Sequence, residues 1–173
     1  MQEDKTLFSR PATLDDLKLL IKSLNDNNAN YVLIGGYALF AHGYQRATTD
    51  IDILVPATLE SAEKIIKSLL ILPDQAAKYI LPEWFVDIEN EDNGAIRVSD
   101  EITVDVMFNA CGETYETLIK HQETIYIDDL PVNTIDLSGL LKTKQTLRHK
   151  DIADRIVLER AIHEINKKHL HLS

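Results

Sequence analysis

The chain has one cysteine, one tryptophan and six glycines in 173 residues. With Cys111 alone, neither an internal disulfide nor a cysteine-based zinc site can form, and the residue reads as a small buried or loop side chain rather than a nucleophile. No segment approaches the roughly 18 consecutive apolar residues of a membrane-crossing helix. The opening Met1-Gln2-Glu3-Asp4-Lys5 has no basic stretch followed by an apolar one. A soluble, cytoplasmic protein is therefore expected. Basic residues are also scarce: 18 Lys+Arg against 28 Asp+Glu, a net charge of −10. Such a balance argues against general coating of nucleic acid. Internal repeats and low-complexity segments are missing.

What is present is ordinary globular material, 45% hydrophobic and 27% charged, in a chain long enough to bury a real core as one domain. The charge is unevenly placed. Residues 137–173 hold 8 Lys+Arg and 4 Asp+Glu, and the rest holds 10 and 24. An acidic body with a basic tail suits a metal-using site facing a phosphate-binding element, and equally a solvated helix surface.

Leu14, Leu17, Leu20, Ile21 and Leu24 recur at helical spacing, which predicts a helix over 13–26 opened by a capping-box variant, Thr13 with Asp16. A second helix is predicted over 57–72, apolar at Leu59, Ala62, Ile65, Ile66, Leu69 and Leu70. Residues 74–88 are ambiguous between helix and loop. Ala95–Val98 and Glu101–Phe108 read as two strands joined tightly at Ser99-Asp100. In the second, Ile102, Val104, Val106 and Phe108 alternate with Thr103, Asp105 and Met107, so Asp105 lies opposite the main apolar set. A short helix is expected between Gly112 and His121, then a hairpin, 124–127 and 131–135, around Asp128-Asp129. Two last helices are expected at 137–146 and 150–168, the latter burying Ile152, Ile156, Val157, Leu158, Ala161, Ile162 and Ile165.

The most informative stretch is Tyr31 to Val55. Tyr31-Val32-Leu33-Ile34 is a short buried-strand run, Gly35-Gly36 a turn, and Tyr37–Ala41 a helix with Gly43 as its C-cap. His42 reads as a helix-end packing residue. In Asp50-Ile51-Asp52-Ile53-Leu54-Val55 the strand period of two puts both aspartates on one face. Aspartate is depleted in strands. At about 4 Å two such charges repel by roughly 4 kcal/mol at an effective dielectric near 20. A divalent cation between them reverses that term; a wet strand end would merely dilute it.

Ile34-Gly35-Gly36, thirteen residues, then Asp50-Ile51-Asp52-Ile53 resembles the polymerase-β-like nucleotidyltransferase superfamily. Arg46-x-Thr48-x-Asp50 is similar to its minimal bacterial members, the lincosamide-type antibiotic nucleotidyltransferases and the toxin nucleotidyltransferases of abortive-infection systems. Lys142-x-Lys144, with Arg148-x-Lys150-Asp151-x-x-Asp154, resembles their C-terminal element. The resemblance implies an α/β (α+β) fold: a small mixed sheet flanked by helices as a nucleotidyltransferase core over 12–135, with a C-terminal helical element over 136–170. It implies that Asp50, Asp52 and Asp105 are catalytic and ligate Mg²⁺ or Mn²⁺. Gly35, Gly36, Arg46, Thr48, Lys144 and Arg148 would then face the nucleotide, although each of the three basic residues also reads as plain surface charge. The implied reaction moves an NMP from an NTP to an acceptor hydroxyl on tRNA, an antibiotic or a protein. A cognate antitoxin or a homodimer is the implied partner. A dehalogenase-like Asp-x-Asp is rejected, because Arg46–Thr49 replaces its apolar strand and Leu54 its Thr or Val. A glycosyltransferase Asp-x-Asp leaves Gly35-Gly36 and Asp105 unexplained. The alternative outside catalysis is a silent protein of the same fold acting as a binding partner in a toxin–antitoxin pair.

Overall fold

The computed structural model describes residues 9–45, 48–87, 94–145 and 149–171. A six-stranded mixed sheet with flanking helices forms an α/β fold, as expected. In chain order its elements are α1 (Leu14–Asp26), β1 (Val32–Ile34), α2 (Gly35–Ala41), β2 (Ile51–Leu54), α3 (Leu59–Leu69), β3 (Ala95–Ser99), β4 (Thr103–Met107), α4 (Tyr115–Leu118), β5 (Gln122–Ile127), β6 (Leu130–Ile135), α5 (Leu137–Lys142) and α6 (His149–His171). The ambiguous stretch resolves into two 3₁₀ turns, Ala76–Tyr79 and Pro82–Phe85. Strand order is β3-β4-β2-β1-β6-β5.

Local chemistry accounts for the element ends. The Thr13 hydroxyl accepts from the Asp16 amide while the Asp16 carboxylate accepts from the Thr13 amide, the reciprocal box that opens α1. Thr58 and Asp136 cap α3 and α5 more simply, each through a side-chain oxygen that accepts a backbone amide, from Ser61 and Gly139. The β5–β6 hairpin turns on Asp128 and Asp129, both at positive φ (46° and 66°). Left-handed backbone at both central positions suits a two-residue hairpin turn, and aspartate is among the few side chains that tolerate it.

The centre of the sheet positions the site. β1 runs antiparallel to β2, pairing Ile34 with Asp52. β2 runs parallel to β4, pairing Asp52 with Asp105. On one face of β2 and β4, Ile51, Ile53, Val104 and Val106 are all fully buried; Asp52 and Asp105 project from the other. The same core includes Leu140 of α5 and Leu158 of α6, so the C-terminal helices pack on the sheet domain.

Two expectations are corrected. The β3–β4 connection is longer than Ser99-Asp100: Ser99 pairs with Thr103, and Asp100 to Ile102 make the turn. Asp100 is buried there because its carboxylate accepts from the amides of Asp74, Ala76 and Glu101, at 2.9, 2.9 and 2.8 Å. On α6, Ile156, Val157 and Ile165 are exposed, and the buried stripe is Asp151, Asp154, Leu158 and Ala161. That stripe is also helically spaced, but two of its four members are acidic, so apolar periodicity points to the wrong face.

Candidate active site

Gly35, Thr48, Asp50, Asp52, Asp105 and Lys144 line one cavity of about 340 Å³. The sequence-predicted residues that meet there come from four separate stretches of chain. Asp50 stands just before β2, and Asp52 lies within it on the same face. Asp105 arrives from β4 beside Asp52 because the two strands run parallel in that register. The loop before the carboxylates is held by the Thr48 hydroxyl, which donates to the Asp50 carbonyl at 3.2 Å. The Thr49 carbonyl accepts from the Ala12 amide at 2.9 Å.

Gly35 is required by what faces it. Its φ is +72°, and a Cβ built there would overlap Asp52 Oδ2 and lie 3.1 Å from Asp52 Cγ. The bare backbone of this residue therefore forms one side of the cradle around the Asp52 carboxylate. Gly36 is buried in the first turn of α2 and is not part of the cavity lining. Arg46 and Arg148 lie outside the described residues. His42 ends α2, with its Nε2 2.7 Å from the Ile135 carbonyl, a packing role.

Lys144 is not surface charge. It is 6% exposed, with Nζ 3.5 Å from Asp151 Oδ1 and 3.2 Å from Asp154 Oδ2. Its carbonyl accepts from Arg155 Nη1 at 2.5 Å. The lysine lines the cavity, and its ammonium ties the end of α5 to the first turns of α6.

One site residue went unnoticed in the sequence. Arg97 of β3 is the cross-strand partner of Asp105. Its Nε lies 3.0 Å from Asp105 Oδ1 and its Nη2 3.1 Å from Asp105 Oδ2, a fork that grips both oxygens. The same Nη2 reaches Asp50 Oδ2 at 3.5 Å. The hydrogen bond and charge of Asp105 hold the guanidinium above its ordinary pKa, with smaller contributions from Asp50 and Asp52. The signal was a basic residue at hairpin distance from Asp105, and placing the turn too early hid it.

The cluster already holds one cation, the Arg97 guanidinium. Its donors are hard carboxylate oxygens, the type that Mg²⁺ and Mn²⁺ prefer, and one cationic nitrogen already bridges two of the three side chains. Among the described residues no group of three or more His, Cys, Asp or Glu is arranged as a ready metal cage; Arg97 stands between the carboxylates.

No family model matches the chain, and no curated protein does. Among solved structures, the fold is similar to that of a Thermotoga maritima protein called a "putative nucleotidyltransferase". The two share 16% identity at a TM-score of 0.47, over 96% of this chain and 97% of the other. No helix among the described residues is long and apolar enough to cross a membrane.

Proposed function

We propose that this protein is a metal-dependent nucleotidyltransferase that moves an NMP from an NTP to an acceptor hydroxyl. The observation that carries the reading is the parallel register of β2 and β4. It brings Asp105 alongside Asp52, on the same cavity wall as Asp50 and the Gly35 turn. Three carboxylates from two strands beside a bare peptide elbow are costly to assemble without a cation to gather them.

Their oxygens are of the donor type that Mg²⁺ or Mn²⁺ prefers, and by resemblance Asp50, Asp52 and Asp105 would hold such an ion once drawn together, since as they stand they form no three-carboxylate cage. When bound, such a metal supplies neutralisation of the triphosphate and of the developing charge on the attacking and leaving oxygens. The rest is positioning, the larger part of phosphoryl-type transfer. Gly35 lets the backbone approach the phosphates, where a side chain would intrude. Thr48 sets the loop from which Asp50 projects. Asp105, more enclosed than Asp50 with 15% of its side chain exposed against 32%, is suited to take the acceptor's proton. Lys144 closes the far wall, fixed by its own ion pairs. Arg46 and Arg148 are assigned to the triphosphate by resemblance, and Gly36 to the turn beneath it.

The acceptor is a hydroxyl of tRNA, an antibiotic or a protein, and a toxin–antitoxin or resistance setting in the cytoplasm suits any of these. One observation favours a second reading, that of a silent binding partner: Arg97 already satisfies Asp105. Incubation of the protein with Mg²⁺, each labelled NTP and cell extract decides between them. The enzyme transfers label to one fraction and Asp50→Asn does not. Label in no fraction, with a protein mate retained on the immobilised chain, would favour the silent partner.

A further inference from the structure

We propose that Arg97 is a built-in, exchangeable cation that holds the carboxylate cluster together until a divalent metal displaces it. The inference rests on the cation-site reading above and adds a residue to it.

Three features separate Arg97 from a structural ion pair. First, its guanidinium stands among the groups a metal would use, forked on Asp105 and shared with Asp50 through one nitrogen. Second, its side chain is 64% exposed while that of Asp105 is 15% exposed, so the acid needs a counter-charge and the base can leave into water. An exposed pair of this kind contributes little to stability, and a doubly charged ion facing three carboxylates competes well against it. Third, β3 is an edge strand, and Arg97 also lines a second hollow of about 410 Å³ with Trp84, Asp87, Ala95 and Ile96. Departure of the guanidinium therefore requires only side-chain rotation, with open space on the far side.

Without a cation Asp50 and Asp105 repel one another, and the arginine offsets that repulsion while no metal is bound. In return it weakens metal binding by competition. Both effects follow from one contact.

Trp84 is the chain's single tryptophan, which gives the exchange a reporter beside the moving group. The test uses the full chain without nucleotide: Mn²⁺ binding followed by the resonance of free Mn²⁺, and Trp84 fluorescence during Mg²⁺ titration. Arg97→Met is expected to bind Mn²⁺ about tenfold more tightly than the wild type, a typical coupling between competing sites. Mg²⁺ should change Trp84 emission in the wild type and leave it unchanged in Arg97→Met. Arg97→Lys, which keeps the charge and loses the fork, should fall between the two and carries the test if Arg97→Met does not fold. Wild-type binding that Arg97→Met and Arg97→Lys leave unchanged or weaken overturns the exchange and leaves the metal site standing. No Mn²⁺ binding by either protein, with Asp105→Asn indistinguishable from them, overturns both.

Discussion

Two clusters among the described residues set acids around a basic side chain, and they differ in almost every other respect. At the sheet, Asp50, Asp52 and Asp105 face Arg97, whose side chain is largely in solvent. At the junction of α5 and α6, Asp151 and Asp154 flank Lys144 with all three residues at 6% exposure or less. The open cluster has the planar, forked base on an edge strand, free to exchange. The closed one has a flexible point charge sealed under a helix. Burial, more than the number of charges, decides which cluster can do chemistry and which one holds the fold together, because desolvation makes separating a sealed pair costly and an exposed pair cheap.

The largest effect that tests this contrast is on stability. Lys144→Met leaves Asp151 and Asp154 buried without that ammonium, and should cost about 3–5 kcal/mol in urea unfolding. Arg97→Met should change the same measurement by less than about 1 kcal/mol. If the two losses were equal, the division into a structural and an exchangeable cluster would be gone. Next in size is Gly35→Ala, which forces a side chain into left-handed backbone at about 1–3 kcal/mol and drives its methyl into the Asp52 carboxylate. Gly43→Ala is its control, since Gly43 has φ +91° and nothing within 4 Å of an added Cβ. Both variants bear the backbone strain, but only Gly35→Ala should also lose Mn²⁺ binding. Equal binding in the two would mean that the Gly35–Asp52 approach does not shape the site.

The same contrast explains what was legible in the sequence. The Gly35 turn, the paired aspartates and Asp105 could be read because strand alternation and local spacing fix which way each points. Their convergence depends on β2 and β4 running parallel, which no local pattern states; the family resemblance stood in for it. Arg97 was missed through a three-residue error in the hairpin register, because buried Asp100 accepts backbone amides instead of ending a tight bend. The sealed cluster was the harder case. An apolar stripe through Ile156 and Ile165 looked like the buried side of the last helix, while the true stripe begins with Asp151 and Asp154. Those acids are inside where Lys144, from another helix, meets them. Periodicity reads one element at a time, and a buried ion pair belongs to two.

Another ion pair, with an acid about as enclosed as Asp105, gives a second open case to set against the sealed one. Arg10 grips Asp16 at 2.6 and 2.9 Å beside the first turn of α1. Its hydrogen bond, with those from the Thr13 amide and hydroxyl, lowers the Asp16 pKa from 3.8 to about 2 against a smaller opposing effect of burial. A carboxyl whose folded-state pKa is depressed stabilises the fold above its unfolded value, and the contribution fades as pH falls through the folded one. The difference in urea midpoint between the wild type and Asp16→Asn should therefore be constant above about pH 5 and shrink as pH falls toward about 2. It should also be the smallest of the effects considered, and it should weaken with added salt. The loss in Lys144→Met should resist salt, because little solvent reaches the enclosed pair to screen it. A salt response of the same size at both places would show that the α5–α6 junction is wetter than its burial implies, and would make Lys144 as free as Arg97 to turn toward the cavity that it lines.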